Sequence, residues 1–281
     1  MSISQRAEEL KKRMERAGLA RVATTLQALL EPSIRLNAGG PSSQPTSRLG
    51  GLPNMPADFQ WPTRRDGQPH SFLAQIDLAQ LEAFDVLPLP SRGSLFFFCD
   101  AVDIPWGRDP GEKDGSAILY SASALNDNAP HTPPRELDGG YIFKGFSLEP
   151  VWDLTGPGIE TWEIESLRLD NSESYAYSQL FAEDGTVHRI GGYPNVMQND
   201  NLQLTAELVS HGIYCDAAGY KLGRSRGLEA GAADWQLLLQ LDSEDEAGMM
   251  WGDAGKLFFM VREKDLKALN FDRAWLGMQG G

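Results

Sequence analysis

The sequence has few cysteines and histidines, little positive charge and no long apolar run. Its two cysteines, Cys99 and Cys215, among 281 residues allow at most one disulfide and exclude a zinc site with four thiolate ligands. We expect both to be buried free thiols in a reducing compartment. No apolar run approaches the ~20 residues needed to span a bilayer, and the basic N-terminus lacks the apolar segment of a secretory signal. The sequence therefore predicts a cytoplasmic protein.

Positive charge is scarce, because 25 Lys and Arg stand against 39 Asp and Glu and give a net charge of −14. The first 30 residues carry +3, so the rest of the chain carries −17. Binding to duplex nucleic acid requires a basic face, which this composition excludes. The apolar face of the N-terminal segment has no Trp or Phe, which favours packing against protein over lying on a membrane. We expect neither a nucleic-acid nor a membrane partner.

Motifs of the common enzyme and cofactor sites are also missing. The chain has no phosphate-binding glycine loop of the Walker or dinucleotide type. Its four histidines, His70, His131, His188 and His211, lack metal-ligand spacing, and we expect them on the surface or in turns. Residues 223–227 read Gly-x-Ser-x-Gly, but no apolar strand precedes them and no histidine follows, so we interpret them as an exposed basic loop. The sequence predicts no cofactor, no metal site and no identifiable catalytic residue.

The sequence does contain a helical N-terminus followed by short β-type runs. Apolar residues at spacings of three and four predict helices over 4–18 and 19–30, and Pro32 predicts the end of the second. After it, short apolar runs alternate with clusters of Gly, Pro, Asn and Asp, which is typical of a β-rich fold. The predicted strands are 72–76, 94–99, 117–120, 141–148, 162–169, 235–241 and 256–262.

Three sequence blocks occur twice in the same order. RLGGLPN at 48–54 matches RIGGYPN at 189–195, FLAQID at 72–77 matches LLLQLD at 237–242, and GSLFF at 93–97 matches GKLFF at 255–259. Three matches in register argue for an internal duplication. We predict a mainly β (α+β) fold in which two repeats, 33–150 and 151–281, form one fused domain about a pseudo-twofold axis. Residues 1–32 are predicted to form a helical segment packed on that domain.

The repeated Arg-x-Gly-Gly-x-Pro turns have two interpretations. Paired glycines let backbone N–H groups converge, and Arg48 or Arg189 would add a fork for a carboxylate or phosphate. The alternative is a tight turn that leads into a strand. The seam between the repeats is also a candidate pocket for a small molecule or a divalent cation, and we predict that Arg48, Arg189, Gln75 and Gln240 meet there.

The stretch between Gly227 and Gly255 contains seven acidic residues and no Lys or Arg. Its spacing partly follows a calcium loop, but Ala247 replaces the glycine of the sixth position and Asp253 the glutamate of the twelfth. A solvated acidic loop, a docking surface for a basic partner and a divalent-cation site remain open. The predicted partner surface consists of Asp242, Glu244, Asp245, Glu246, Trp251 and Asp253.

The same blocks carry a family resemblance. GGLP at 50–53 followed by Trp61-Pro62, the blocks at 72–77, 191–194 and 238–242, and MWGDAG at 250–255 resemble the YwqG-like family, a bacterial domain of unknown function numbered 1963. The resemblance covers about residues 47–262. It implies a mainly β fold with internal similarity, and it supplies no activity, cofactor or site residue. Members also occur near polymorphic-toxin genes, which implies inhibition of a toxin as one role.

Together these features predict a non-catalytic cytoplasmic binding protein whose acidic surface recognises a basic protein partner, in one form a toxin domain that it neutralises. A small-molecule or cation binder that uses the seam is the first alternative. A hydrolytic enzyme with two carboxylates as acid and base is the second, and the 39 acidic residues give no basis for choosing a pair.

Overall fold

A computed structural model describes residues 3–183, 185–198 and 201–280, so residues 1, 2, 184, 199, 200 and 281 of the predicted segments lie outside it. The described residues form one antiparallel sheet of ten strands with seven α-helices around it. The strands are β1 (Glu31–Pro41), β2 (Arg48–Leu49), β3 (Ser71–Asp77), β4 (Ser94–Cys99), β5 (Ser116–Ser121), β6 (Phe146–Thr155), β7 (His188–Ile190), β8 (Trp235–Asp242), β9 (Lys256–Arg262) and β10 (Trp275–Gln279). The helices are α1 (Ile3–Met14), α2 (Ala23–Ala28), α3 (Trp162–Glu165), α4 (Asn171–Leu180), α5 (Leu202–Ser210), α6 (Ala217–Ser225) and α7 (Glu263–Lys267). The predicted β-rich fold is confirmed.

The strands follow the order β10-β9-β8-β7-β1-β6-β2-β3-β4-β5 across the sheet. The long pair β1 and β6 forms the centre, with a register that runs from Glu31 opposite Thr155 to Pro41 opposite Phe146. A wing of four strands extends from each side of this pair, β7 to β10 beyond β1 and β2 to β5 beyond β6. The predicted boundary between residues 150 and 151 falls inside β6.

The sheet curls until the inner faces of its two wings meet. The rings of Phe97 on β4 and Phe259 on β9 lie 5.1 Å apart in an edge-to-face arrangement, although six strands separate β4 from β9 in the sheet order. The Lys113 ammonium, just before β5, donates to the Ala274 carbonyl just before β10 at 2.8 Å. The result is a nearly closed sheet whose interior holds the main apolar core.

Three smaller clusters cover the outer face. Helices α1 and α2 pack against α3 and α4 around Met14, Leu19 and Tyr177. Helix α5 packs over β8, β9 and β10, where Ala206 meets Trp235 and neighbouring apolar side chains. The segment 55–61 covers the outer face of β3 and β4. The outer face is therefore covered by the N-terminal helices together with segments that connect strands.

Several predicted elements need correction. Residues 162–169 begin with helix α3 and contain no strand, because their apolar residues pack into the α1–α4 cluster and not onto a sheet face. The strand expected at 141–148 begins only at Phe146 and continues to Thr155. The first predicted helix ends at Gly18 as expected, where φ is +94°, but its regular α-helical part stops at Met14, and α2 is shorter than the predicted 19–30. Strand β1 follows directly and was not predicted, because Pro32, two glycines and Pro41 read as a loop.

The expectations for single residues had mixed outcomes. Cys99 and Cys215 are buried free thiols as expected, and burial raises the pKa of the Cys99 thiol. His70 and His188 are buried, so the expectation of surface histidines is wrong for these two. The Gly-x-Ser-x-Gly run lies in the last turn of α6 and just beyond it, so it is helical where a loop was expected. Within the described ranges, no helix has the length and apolar character to cross a membrane.

Candidate functional site

The side chain of Arg48 is buried inside its own glycine turn. Gly50 and Gly51 adopt left-handed φ angles of +50° and +72° and fold the chain back over the guanidinium. Its Nε donates to the Gly50 carbonyl at 3.2 Å, Nη1 to the Gln44 carbonyl at 2.6 Å, and Nη2 to the Leu52 carbonyl. Among the described residues it forms no ion pair with a carboxylate. Burial therefore lowers the pKa of Arg48 to about 10.

Gln75 ties this turn to the next strand. It lies opposite Arg48 in the β2–β3 register. Its Oε1 accepts the Asn54 backbone N–H at 2.9 Å, and its Nε2 donates to the Thr46 carbonyl at 2.8 Å. The fully buried amide thus holds both ends of the loop around Arg48.

Arg189 and Gln240 repeat this arrangement on the other wing. They are paired in the β7–β8 register. Gln240 Oε1 accepts the Asn195 backbone N–H at 2.9 Å, and its Nε2 donates to the Val187 carbonyl at 3.0 Å. Gly191 supplies a left-handed φ of +67° in the turn. These contacts match those of Gln75. Each glutamine accepts from the asparagine six residues after the arginine and donates to the carbonyl two residues before it.

The charge around the two arginines differs. Arg189 Nη2 forms ion pairs with Glu183 and, at 3.4 Å, with Asp153, while Nη1 donates to the Tyr193 carbonyl at 3.4 Å. Arg48 meets only carbonyl oxygens and the Asn54 amide oxygen. Arg189 is therefore neutralised by carboxylates, whereas the charge of Arg48 is stabilised only by the dipoles of carbonyl and amide groups.

The four residues predicted at the seam do not line one pocket. Strands β1 and β6 lie between β7 and β2, so three inter-strand steps of about 4.8 Å separate Arg189 from Arg48. The structure brings Arg48 to Gln75 and Arg189 to Gln240 in two clusters. The Arg48 donors point into their own turn, as the tight-turn interpretation requires, whereas Arg189 directs Nη1 into its turn and Nη2 to the carboxylates of Glu183 and Asp153.

Two residues of the predicted acidic surface have internal partners. Asp242 is buried, accepts the Val187 backbone N–H at 3.1 Å and lies 3.6 Å from the Lys256 ammonium. Glu244 Oε2 lies 3.8 Å from Nε2 of the buried His188. His188 Nδ1 accepts the Asp242 N–H at 3.1 Å, which directs Nε2 and its proton toward Glu244. This contact lowers the pKa of Glu244.

Trp251 is also internal and cannot be a surface anchor. Its side chain is 1% exposed, donates from Nε1 to the Asp242 carbonyl at 3.1 Å, and packs edge-to-face on Phe143 at 5.6 Å. Composition alone could not separate it from its neighbour Met250, which is 49% exposed. The exposed apolar residue is therefore Met250, one position earlier in the chain.

The exposed part of the stretch is a compact turn. Glu244 and Met249 exchange two backbone hydrogen bonds of 2.8 and 3.0 Å, and Gly248 closes the turn with φ +80°. The exposed acidic and large apolar side chains of this turn and of the residues that follow it are Asp245, Glu246, Met250 and Asp253, and we call this set the acidic turn. Among the described residues, no group of three or more His, Cys, Asp or Glu side chains is placed to hold a metal ion.

A groove that sequence reasoning missed runs along β5. Its volume is about 480 Å³, and it lies between β5, residues 58–60 and residues 269–272. These segments are far apart in the sequence, so no local motif marks the groove. The only available signal was β5 itself, whose SAILYS sequence carries no charge.

Comparison with known families adds one finding. A family described as "Domain of unknown function (DUF1963)" matches residues 47–280. The chain belongs to this family. The DUF1963 match includes both glycine turns, the acidic turn and the groove, and it leaves out α1, α2 and β1. No curated protein matches the chain.

Proposed function

We propose that this DUF1963 protein is a non-catalytic binding protein that recognises a basic protein partner through the acidic turn. The observation that carries this proposal is the exposed Met250 between the exposed carboxylates of Asp245, Glu246 and Asp253 in one short stretch of the chain. Within the described residues, none of these three carboxylates forms an ion pair, whereas Asp242 and Glu244 have internal partners. The charge of the turn is therefore available to a partner.

The physical argument is complementarity. An apolar side chain surrounded by polar and charged groups is the usual composition of a protein interface, with the apolar anchor excluding water and the charges selecting the partner. A net charge of −14 attracts basic proteins over long range and repels acidic ones. A basic toxin domain is one partner of this kind. The two buried free thiols suit a cytoplasmic site of action.

We also propose that the two wings arose by internal duplication about a pseudo-twofold axis between β1 and β6. The strand order supports this, because a short strand that carries the arginine turn is followed by three longer strands on each side. The Gln75 and Gln240 contacts support it as well. So do the register irregularities, between Phe72 and Ala74 in β3 and between Leu237 and Leu239 in β8.

The proposed function is tested by charge reversal. The variant carries Asp245→Lys, Glu246→Lys and Asp253→Lys, and the matched control carries Glu8→Lys, Glu9→Lys and Glu82→Lys, three exposed acids outside the turn. Tagged wild type, variant and control are used to capture proteins from the native cell extract. We expect wild type and control to retain the same basic protein and the variant to lose it by at least about tenfold. Equal capture by all three would remove the acidic turn from the account.

A further inference from the structure

Strand β5 has an open edge. It pairs with β4 along a regular six-residue register, and no other strand of the described residues lies on its other side. Edge strands are normally protected by a charged residue, a proline, a bulge or a covering segment. The sequence of β5, SAILYS, contains no charged residue and no proline, and its register has no bulge.

The opposite edge of the sheet is protected by the chain itself. At β10, the Met278 N–H donates to the Trp106 carbonyl at 3.4 Å, and Trp275 Nε1 donates to the Gly107 carbonyl at 2.9 Å. Gly107 packs so closely that an added Cβ would lie 2.6 Å from the Gly277 Cα. The segment from Trp106 to Gly107 therefore covers β10, and no described backbone group bonds to the outer edge of β5 in the same way.

The groove beside β5 has the shape and lining of a strand site. Its volume of about 480 Å³ is within the range of binding pockets. Phe59 borders it on the outer face of the sheet, and the partly exposed ring of Tyr120 borders it on the inner face, 6.3 Å from the buried Phe271. Side chains of an added strand would alternate between the face that carries Phe59 and the face that carries Tyr120.

The negative charge of the groove favours a positively charged occupant. Asp58 and Asp272 line it and are exposed, and no Lys or Arg is among its lining residues. A second copy of the chain would bring these carboxylates against the same carboxylates, with −14 on each molecule. A cationic segment would instead gain from both aspartates.

We propose that the open edge of β5 binds an extended cationic peptide segment as an added strand. The backbone of the peptide pairs with β5, its alternate side chains contact Phe59 and Tyr120, and its Lys or Arg residues reach Asp58 and Asp272. The groove and the acidic turn lie at opposite ends of β9, about 20 Å apart at the usual rise per residue. The proposal therefore stands independently of the function proposed for the acidic turn.

Selection from random peptides tests the proposal. Peptides of about ten residues, the upper range of strand length, are selected by phage display on the wild-type protein. Their affinities are then measured by fluorescence anisotropy on wild type, on Asp58→Lys/Asp272→Lys and on the control Val102→Lys, which adds a lysine at a site 66% exposed and outside the groove. We expect selected peptides rich in Lys or Arg, at least about tenfold weaker binding to the double variant, and unchanged binding to the control.

Backbone pairing has its own readout. In an added strand, alternate peptide N–H groups face β5 and the others face away. N-methylation of the first set should abolish binding, and N-methylation of the second set should leave it intact. Selected peptides that tolerate both sets, or that bind the double variant as well as wild type, would overturn the proposal. So would failure to select any peptide, or a wild-type dimer that Leu119→Lys on β5 dissociates.

Discussion

At the residue scale, the two arginine turns bury the same type of side chain in different electrostatic surroundings. Arg189 is neutralised by Glu183 and Asp153, whereas Arg48 has only carbonyl and amide oxygens. A buried cation without a carboxylate is stable only if its donors are satisfied by dipoles. The three carbonyls around Arg48 depend in turn on its guanidinium.

Replacing Arg48 with methionine should therefore destabilise the protein. Arg48→Met leaves the carbonyls of Gln44, Gly50 and Leu52 without donors, and we expect a loss of about 3 kcal/mol in the free energy of unfolding, measured with urea. The control is Arg65→Met, since that side chain is 82% exposed and its ion pair with Asp114 at 3.6 Å should contribute under about 1 kcal/mol. Equal losses in the two variants would contradict this role of Arg48.

Glu244 gives a pH-dependent prediction. His188 holds the pKa of Glu244 below its ordinary value, so the folded state favours the carboxylate more than the unfolded state does. This contribution to stability is present above about pH 4 and is lost as the pH falls through the lowered pKa. The free energy of unfolding of Glu244→Gln should be lower than that of wild type at neutral pH, and the gap should shrink in acid.

The control for this prediction is on the same turn. Glu246→Gln removes an exposed carboxylate without contact to His188, so its stability should follow that of wild type at both pH values. A stability difference between Glu244→Gln and wild type that is the same at neutral and acidic pH would show that the contact between Glu244 and His188 is not its source.

At the element scale, the glycine turns set the entry into each wing. Gly50 combines a left-handed φ of +50° with a close approach, because an added Cβ would collide with the Lys144 carbonyl. Gly18 has a φ of +94° but no atom within 4 Å of the same position. Comparing alanine variants at the two positions therefore separates the free-energy cost of a left-handed backbone conformation from that of a steric collision.

Alanine substitution should expose this difference. We expect Gly18→Ala to cost about 1 kcal/mol through its φ alone. Gly50→Ala adds displacement of the backbone at Lys144, so we expect a loss above about 2 kcal/mol. Urea unfolding of both variants measures the losses. A Gly50→Ala variant no less stable than Gly18→Ala would show that the turn adapts without cost.

Sequence patterns predicted some elements and could not predict others. Strands β4 and β9 are apolar on both faces and were found, because central strands read as continuous apolar runs. Strands β2 and β7 have two and three residues, too few to show a period. Strand β1 contains Pro32 and two glycines, and only its long pairing with β6 makes it a strand.

The candidate site was predicted in part for similar reasons. The acidic composition of 242–253 was visible in the sequence, and Asp245, Glu246 and Asp253 are indeed exposed. The burial of Asp242 and Trp251 depends on Lys256 and Phe143, which pattern reasoning did not connect to them. The groove along β5 forms only where distant segments meet, so no window of sequence contains it.

At the scale of the whole molecule, the nearly closed sheet separates two exposed features. The acidic turn lies at the start of β9, and the groove lies near the end of the same strand. Both are negative and both include apolar side chains, so a basic partner is the common expectation for the two. The net charge of −14 adds a long-range electrostatic attraction that raises the association rate of basic partners.

The central claim is that opposite charge holds a specific basic protein on this surface. The most direct measurement is the stoichiometry of the captured complex across a series of salt concentrations, with the captured protein identified by mass spectrometry. We expect one basic protein, bound in a fixed ratio at low salt and released progressively as salt screens the charges. A partner that is acidic, or one whose retention does not change with salt, would contradict the claim.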